Sequence, residues 1–195
     1  MRNRTNEIPY RQWRDHIDRL TPADHRIADD FLLVERDSEL SLSAEPLRSD
    51  VTSVILLEEG WSRLRIDMVE YAVVAPAMIV IEADCVYQAV EVSDDMRVRV
   101  AVMSKRFVER LFGGYESSNL GALVKANPVV ELGAQATVVR TYFALLADVV
   151  RAPHRPFKLE SARHLMISML YGYLHGRGVS VASVESRSGR MYGRF

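Results

Sequence analysis

Between Asp50 and Phe112 the chain sets short apolar and alternating stretches between turn residues, and no other feature of the sequence restricts the fold as much. Val51–Leu57 is an almost unbroken apolar run, followed by Glu58-Glu59 and by Gly60 where the chain must turn. Arg63-Leu64-Arg65-Ile66-Asp67-Met68 alternates polar and apolar, the period of a strand with one wet and one dry face. Ala77–Ala83 and Val86–Val92 repeat the pattern on either side of a turn near Asp84, and Arg97–Val102 is a further alternating strand. Ser104 then reads as the N-cap of a helix carrying Phe107, Leu111 and Phe112. Strands this short, at a spacing of roughly ten residues, predict an antiparallel barrel or sandwich rather than a parallel α/β sheet.

The 195 residues suffice for one domain with a sizeable core and a satellite helical layer. A net charge of −1 gives no electrostatic reason for this chain to bind nucleic acid by itself. Cys85 is the only cysteine, which excludes an internal disulfide and points to a reducing, cytoplasmic setting. No apolar run approaches the ~20 residues that cross a bilayer. The N-terminus is too polar for a secretory signal, so a soluble chain without a membrane partner is expected.

In chain order, residues 1–30 form an N-terminal arm or short helix. Trp13, Ile17 and Leu20 fall at helical spacing after Pro9, and the same residues could instead lie as an arm over the strands. Residues 31–103 are the β-barrel region, opening with a strand at Phe31–Glu35, and Pro46 marks an edge strand or loop. Residues 104–178 are helical. Gly113-Gly114 stops the first helix and Asn127-Pro128 breaks the chain again. A second helix carries Val139, Tyr142, Phe143, Leu146 and Val150 on one stripe and ends before Pro153 and Pro156. A last helix carries Leu159, Ala162, Met166, Met169 (or Leu170) and Tyr173 on one face, with Gly176 and Gly178 as its stop. Two such helices joined by a short Pro-containing loop predict an antiparallel hairpin. Its broad apolar faces can cover the barrel or a second subunit. A homodimer is expected, with Leu159, Ala162, Met166, Met169 and Tyr173 as interface candidates. Residues 179–195 read as a basic, Ser- and Gly-containing linker, and Met191–Phe195 looks like the opening of a further helix, as in the front part of a longer protein.

Catalytic chemistry is sparse. The histidines are His16, His25, His154, His164 and His175, none of them in the strand region, so no metal centre and no cofactor are expected in the barrel. Cys85 has no cation near it in sequence and reads as a packing residue. No nucleophile elbow, phosphate-binding glycine loop or zinc-protease motif occurs. Glu58-Glu59 and Asp94-Asp95 sit at strand ends, where solvated acids are common. A barrel of this size can hold one small ligand, and Trp61, Arg63, Arg65, Tyr71, Tyr87 and Gln88 are the candidates to line its pocket.

The ordered set of these features resembles the N-terminal regulatory domain of AraC-family transcriptional regulators. The residues that carry the resemblance are the apolar strand into Glu59-Gly60, Arg65-Ile66-Asp67 leading to Glu70-Tyr71, and Ala75-Pro76-Ala77-Met78-Ile79-Val80-Ile81. They continue through Val92–Met96 into Val102-Met103-Ser104-Lys105-Arg106-Phe107-Val108, a strand running directly into a helix that opens with Ser and carries an aromatic three residues on. The closing Ser188–Phe195 is similar to the linker before that family's helix-turn-helix module. The resemblance implies an α+β fold, a cupin-like antiparallel barrel followed by a helical hairpin, and a non-enzymatic role. A small-molecule effector in the barrel would modulate a dimer, with DNA contacted only through a domain absent from this chain. The competing readings are a cupin-type metal-dependent isomerase or dioxygenase, and a purely structural oligomerisation module.

Overall fold

The computed structural model describes residues 8–13, 25–37, 44–113, 122, 124–153 and 156–175. The linker reading for 179–195, the glycine stop at 176 and 178, and residues 14–24 of the arm lie outside them. The strands are β1 (Tyr10–Arg11), β2 (Arg26–Ile27), β3 (Phe31–Asp37), β4 (Arg48–Ser49), β5 (Val51–Glu59) and β6 (Trp61–Ile66). They continue with β7 (Val69–Val74), β8 (Ala77–Ile81), β9 (Tyr87–Val92), β10 (Arg97–Ser104) and β11 (Val129–Glu131). The helices are α1 (Lys105–Phe112), α2 (Ala136–Arg151) and α3 (Lys158–His175). The fold is therefore α+β.

A six-stranded sheet in the order β11-β8-β5-β10-β3-β2 is antiparallel throughout. A second antiparallel sheet has the order β7-β6-β9, and β1 pairs with β4 in parallel. The pairing among the described residues gives separate sheets rather than a closed ring of strands.

The large sheet is buried on both faces. Phe31, Leu33, Val54, Leu56, Met78, Val80, Ala101 and Met103 point into one cluster with the three helices. The intervening Leu32, Val34, Ile55, Leu57, Ile79, Ile81, Val100 and Val102 point into another with Leu64, Ile66, Val73 and Ala89 of the small sheet. A strand dry on both sides reads as a continuous apolar run, which accounts for Val51–Leu57 and Ala77–Ile81. A strand dry on one side alternates, as β6 does with Ser62, Leu64 and Ile66 buried.

The expected strand Arg63–Met68 stops two residues early. Asp67 and Met68 both have positive φ, 44° and 72°, and form a two-residue hairpin turn into β7. Sequence reading expects Asn-Gly or Asp-Gly at such a turn. Here one backbone and one side-chain hydrogen bond between Asp67 and Val86 take over: Asp67 N donates to Val86 O at 2.8 Å and Val86 N donates to the Asp67 carboxylate Oδ1 at 2.9 Å. Gly60, at φ 79°, makes the expected turn between β5 and β6.

Residues 8–13 lie as an arm. Trp13 is buried against the cluster between the sheets, its backbone N donates to Asp50 Oδ1 at 2.7 Å, and its indole donates to Asp29 O at 3.2 Å. Tyr10 Oη donates to Asp84 Oδ1 at 2.7 Å, and Lys105 Nζ holds Asp84 Oδ2 at 2.8 Å.

The junction of β10 and α1 follows the sequence reading. Ser104 caps the helix, its Oγ accepting from Phe107 N at 3.1 Å, and Gly113 is the C-cap. Asp30, in the turn before β3, locks this corner. Its carboxylate accepts from Ser104 Oγ at 2.8 Å and from Arg106 Nε at 2.9 Å, and its carbonyl accepts from Ser104 N at 2.9 Å. The Arg106 guanidinium holds the Asp30 carboxyl below its usual range, against the opposing effect of its own burial.

Leu56→Ala (facing the helices) and Leu57→Ala (facing the small sheet) should each cost about 2–5 kcal/mol in urea denaturation. A near-neutral result at either position would show that its face of the sheet is not packed. The Asp30 value lies below that of the unfolded chain. Its stabilisation is therefore complete above the ordinary carboxylate pKa and is lost as pH falls through the lowered one. Asp30→Asn should cost about 1–3 kcal/mol near neutral pH and flatten the acid limb of the stability profile.

Candidate functional site

The space between the two sheets, where a ligand was expected, is occupied by the chain's own side chains. Leu32, Val34, Leu57, Leu64, Ile79 and Val100 are each at most 3% exposed, and Trp13 joins them from the arm. Trp61, Arg63 and Arg65 lie on the outer face of β6. Arg63 Nη2 meets Glu91 Oε2 at 2.7 Å, and Arg65 Nη2 meets Glu70 Oε2 at 3.0 Å. Gln88 accepts from Arg65 Nη1 at 3.3 Å and donates to Ala44 O at 2.9 Å. Tyr71 and Tyr87 pack on the rim of the filled interior, and burial raises the Tyr87 hydroxyl pKa. Alternation correctly puts Trp61, Arg63 and Arg65 on one face, but it does not reveal which face meets solvent.

Ala162, Met166 and Met169 are at most 1% exposed, turned into the cluster between α3, α2 and the large sheet. Leu159 is half-buried against the same cluster. The side chain of Tyr173 lies outside the described residues. Cys85 packs against the inter-sheet cluster, and burial, with a hydrogen bond to Asp67, pushes its thiol up to about 12, which disfavours the thiolate.

The open space lies on the helix side of the large sheet. A cavity of about 200 Å³ has its floor on Thr52 and Val54 of β5, Val80 of β8 and Met103 of β10. Val108 and Phe112 of α1, Val124 from the stretch before β11, and Leu170 of α3 form the roof, and Glu82 and Ala83 close the end where β8 stops. Strand parity builds it: Met78, Val80 and Glu82 form one row, and Thr52, Val54 and Leu56 form the adjacent one. Ser53 pairs with Ile81, so the next step of the antiparallel register sets Thr52 opposite Glu82. Thr52 Oγ1 accepts from Ala83 N at 3.2 Å, and among the described residues this is its only side-chain hydrogen bond and none takes its hydroxyl proton. Thr52 is 7% exposed. Glu82 faces Lys125 across 3.8 Å, and the lysine side chain is 72% exposed, so solvent screens that pair. A second concavity, wider and more open, lies between α1 and α3 beside Arg110 and Arg163.

Neither Thr52 nor Glu82 stands out in the sequence. Only the pairing of β5 with β8, together with the parity that turns both toward the helices, brings them to one place.

No protein-family model and no curated protein matches the sequence. Solved structures do. The AraC-like transcriptional activator CuxR is 17% identical, over 73% of this chain and 52% of its own, with a TM-score of 0.46. ToxT from Vibrio cholerae bound to an unsaturated fatty acid is 12% identical, over 75% and 54%, with a TM-score of 0.43. Apo ToxT is 14% identical, over 75% and 55%, with a TM-score of 0.40. The chain spans about half the length of these proteins. These structural neighbours are AraC-family regulators, similar to this chain at low identity.

Proposed function

We propose that this chain is the effector-sensing and dimerisation region of an AraC-type transcriptional regulator, acting on DNA through a module outside this sequence. Support comes from the ordered motifs of the sequence, above all the strand that runs through a Ser-capped corner into a helix, and from the cavity. The observation that carries the reading is the cavity's position. It is walled by the rigid sheet on one side and by α1 and α3 on the other. A molecule held there touches both the β framework and the helices, so it can favour one helix arrangement over another. The interior between the sheets offers no such lever, because it is already packed.

The dimer contact we assign to α2. Val138, Tyr142, Leu145 and Val149 follow a 4-3-4 spacing along the margin of the buried stripe, the seam of a two-helix contact. Val138 is 48% and Leu145 43% exposed, while Tyr142 and Val149 are partly buried at the core's edge. Thr137, Thr141 and Ala144 beside them carry no charge. Arg140, the only charged residue on α2 before Asp148, is tied to Glu58 at 3.4 Å. An uncharged seam of this kind suits a second copy across a two-fold axis. Α3 links the two places, with Leu170 in the cavity wall and its other apolar residues packed with those of α2.

Leu145→Glu should convert the protein to a monomer in sedimentation velocity and leave its far-UV circular dichroism unchanged. A monomeric parent protein, or a variant that still dimerises, would refute the α2 contact.

A further inference from the structure

We infer that the cavity between the large sheet and the helices takes a small neutral molecule with a compact apolar body and a single hydroxyl group. This rests on the proposal that the effector occupies that cavity, and it adds the chemical class. Size sets the first limit. A dry cavity of about 150 Å³ holds benzene, so about 200 Å³ takes one ring with a short substituent, or a branched aliphatic of similar bulk. The space is open on one side, so a longer chain would leave its remainder in solvent, outside the apolar walls.

The lining sets the second limit. Val54, Val80, Met103, Phe112 and Leu170 offer no hydrogen bond, so a polyol or an ion placed against them would lose its water without replacement. Among the described lining residues the polar groups are confined to one end. Thr52 supplies a buried hydroxyl proton that no acceptor among the described residues takes. Glu82, one residue past the last β5–β8 pair, supplies carboxylate oxygens held among the described residues only by a long, exposed ion pair. A ligand hydroxyl is both acceptor and donor, so one group can receive the Thr52 proton and give its own to Glu82. A carboxylate or phosphate would face Glu82 at close range and is disfavoured.

The test uses p-cresol as probe and toluene as the same body without the hydroxyl, titrated against this chain by amide NMR. The expected result is shifts concentrated at the amides of Ala83, Val124 and their neighbours. The binding of p-cresol should be about tenfold tighter than that of toluene, the value of one buried hydrogen bond. Thr52→Val should reduce that preference, Thr52→Val combined with Glu82→Ala should erase it, both should leave toluene binding in place, and Thr52→Ser should retain it. Leu170→Phe, which fills the cavity, should abolish binding of both. Equal binding of p-cresol and toluene at these amides, or a preference unchanged in the Thr52→Val, Glu82→Ala double variant, would overturn the hydroxyl assignment and leave the cavity as the effector site. Shifts elsewhere in the protein, or none with either probe, would overturn the cavity reading together with it.

Discussion

The double-sided burial of the six-stranded sheet is the constraint from which the rest of the molecule follows. Each of its central strands, β5, β10 and β8, sends alternate side chains into different clusters, and neither set can reach water. An apolar face left bare on either side would be costly. The small sheet must therefore cover one side and the helices the other. The small sheet can afford a wet outer face because it has only one cluster to serve, and there a ladder of arginines and glutamates lies beside the exposed Trp61 and Val74.

That constraint also decides where a cavity can exist. Two sheets facing each other can interdigitate closely, since their side-chain rows share a spacing, and the arm adds Trp13 to the remaining gap. Helices laid on a sheet meet its rows less evenly. The corner at Ser104 starts α1 at the sheet's end, and Asp30 and Arg106 fix its departure. Where β8 ends at Ile81 and α1 ends at Phe112, neither layer fills the space, and the row that was apolar at Met78 and Val80 finishes in Glu82. A polar residue at the end of a dry row costs little where one end meets solvent. Here it gives the cavity its chemistry.

Much of this architecture is legible in the residues. The apolar runs of β5 and β8, the Ser104 cap with Phe107 behind it, the glycine at 60 and the α2 stripe of Val139, Phe143, Leu146 and Val150 all fall where their chemistry puts them. Short sequences are less informative where tertiary contacts overrule local preference. The turn at Asp67-Met68 carries no glycine and is held from Val86. The short β11 at Val129–Glu131 exists because β8 offers it an edge. Period-2 alternation shows that two faces differ, but not what covers each. Arg63 and Arg65 could therefore be placed on one face of β6, and not on the solvent side of it. The same ambiguity hides Ala162, Met166 and Met169: an apolar helical stripe looks alike whether a sheet of the same chain or a second subunit closes it.

The distribution of apolar surface over the two long helices now has a mechanical meaning. Α3 spends its stripe inside the protomer, on the sheet and on α2, so it responds to what lies beneath it. Helix α2 spends one stripe in the same core and keeps Val138 and Leu145 exposed beside it, with Tyr142 and Val149 at the core's edge. A ligand of about eight heavy atoms carries a limited binding free energy, at most about 1.5 kcal/mol per atom and commonly far less. A change of 1–3 kcal/mol between two helix arrangements is nonetheless enough for roughly 5- to 150-fold coupling. Such a molecule need not force the sheet to move. It has only to bind better under one position of Phe112 and Leu170 than under another, and the α2 surface packed beside α3 then carries the difference outward.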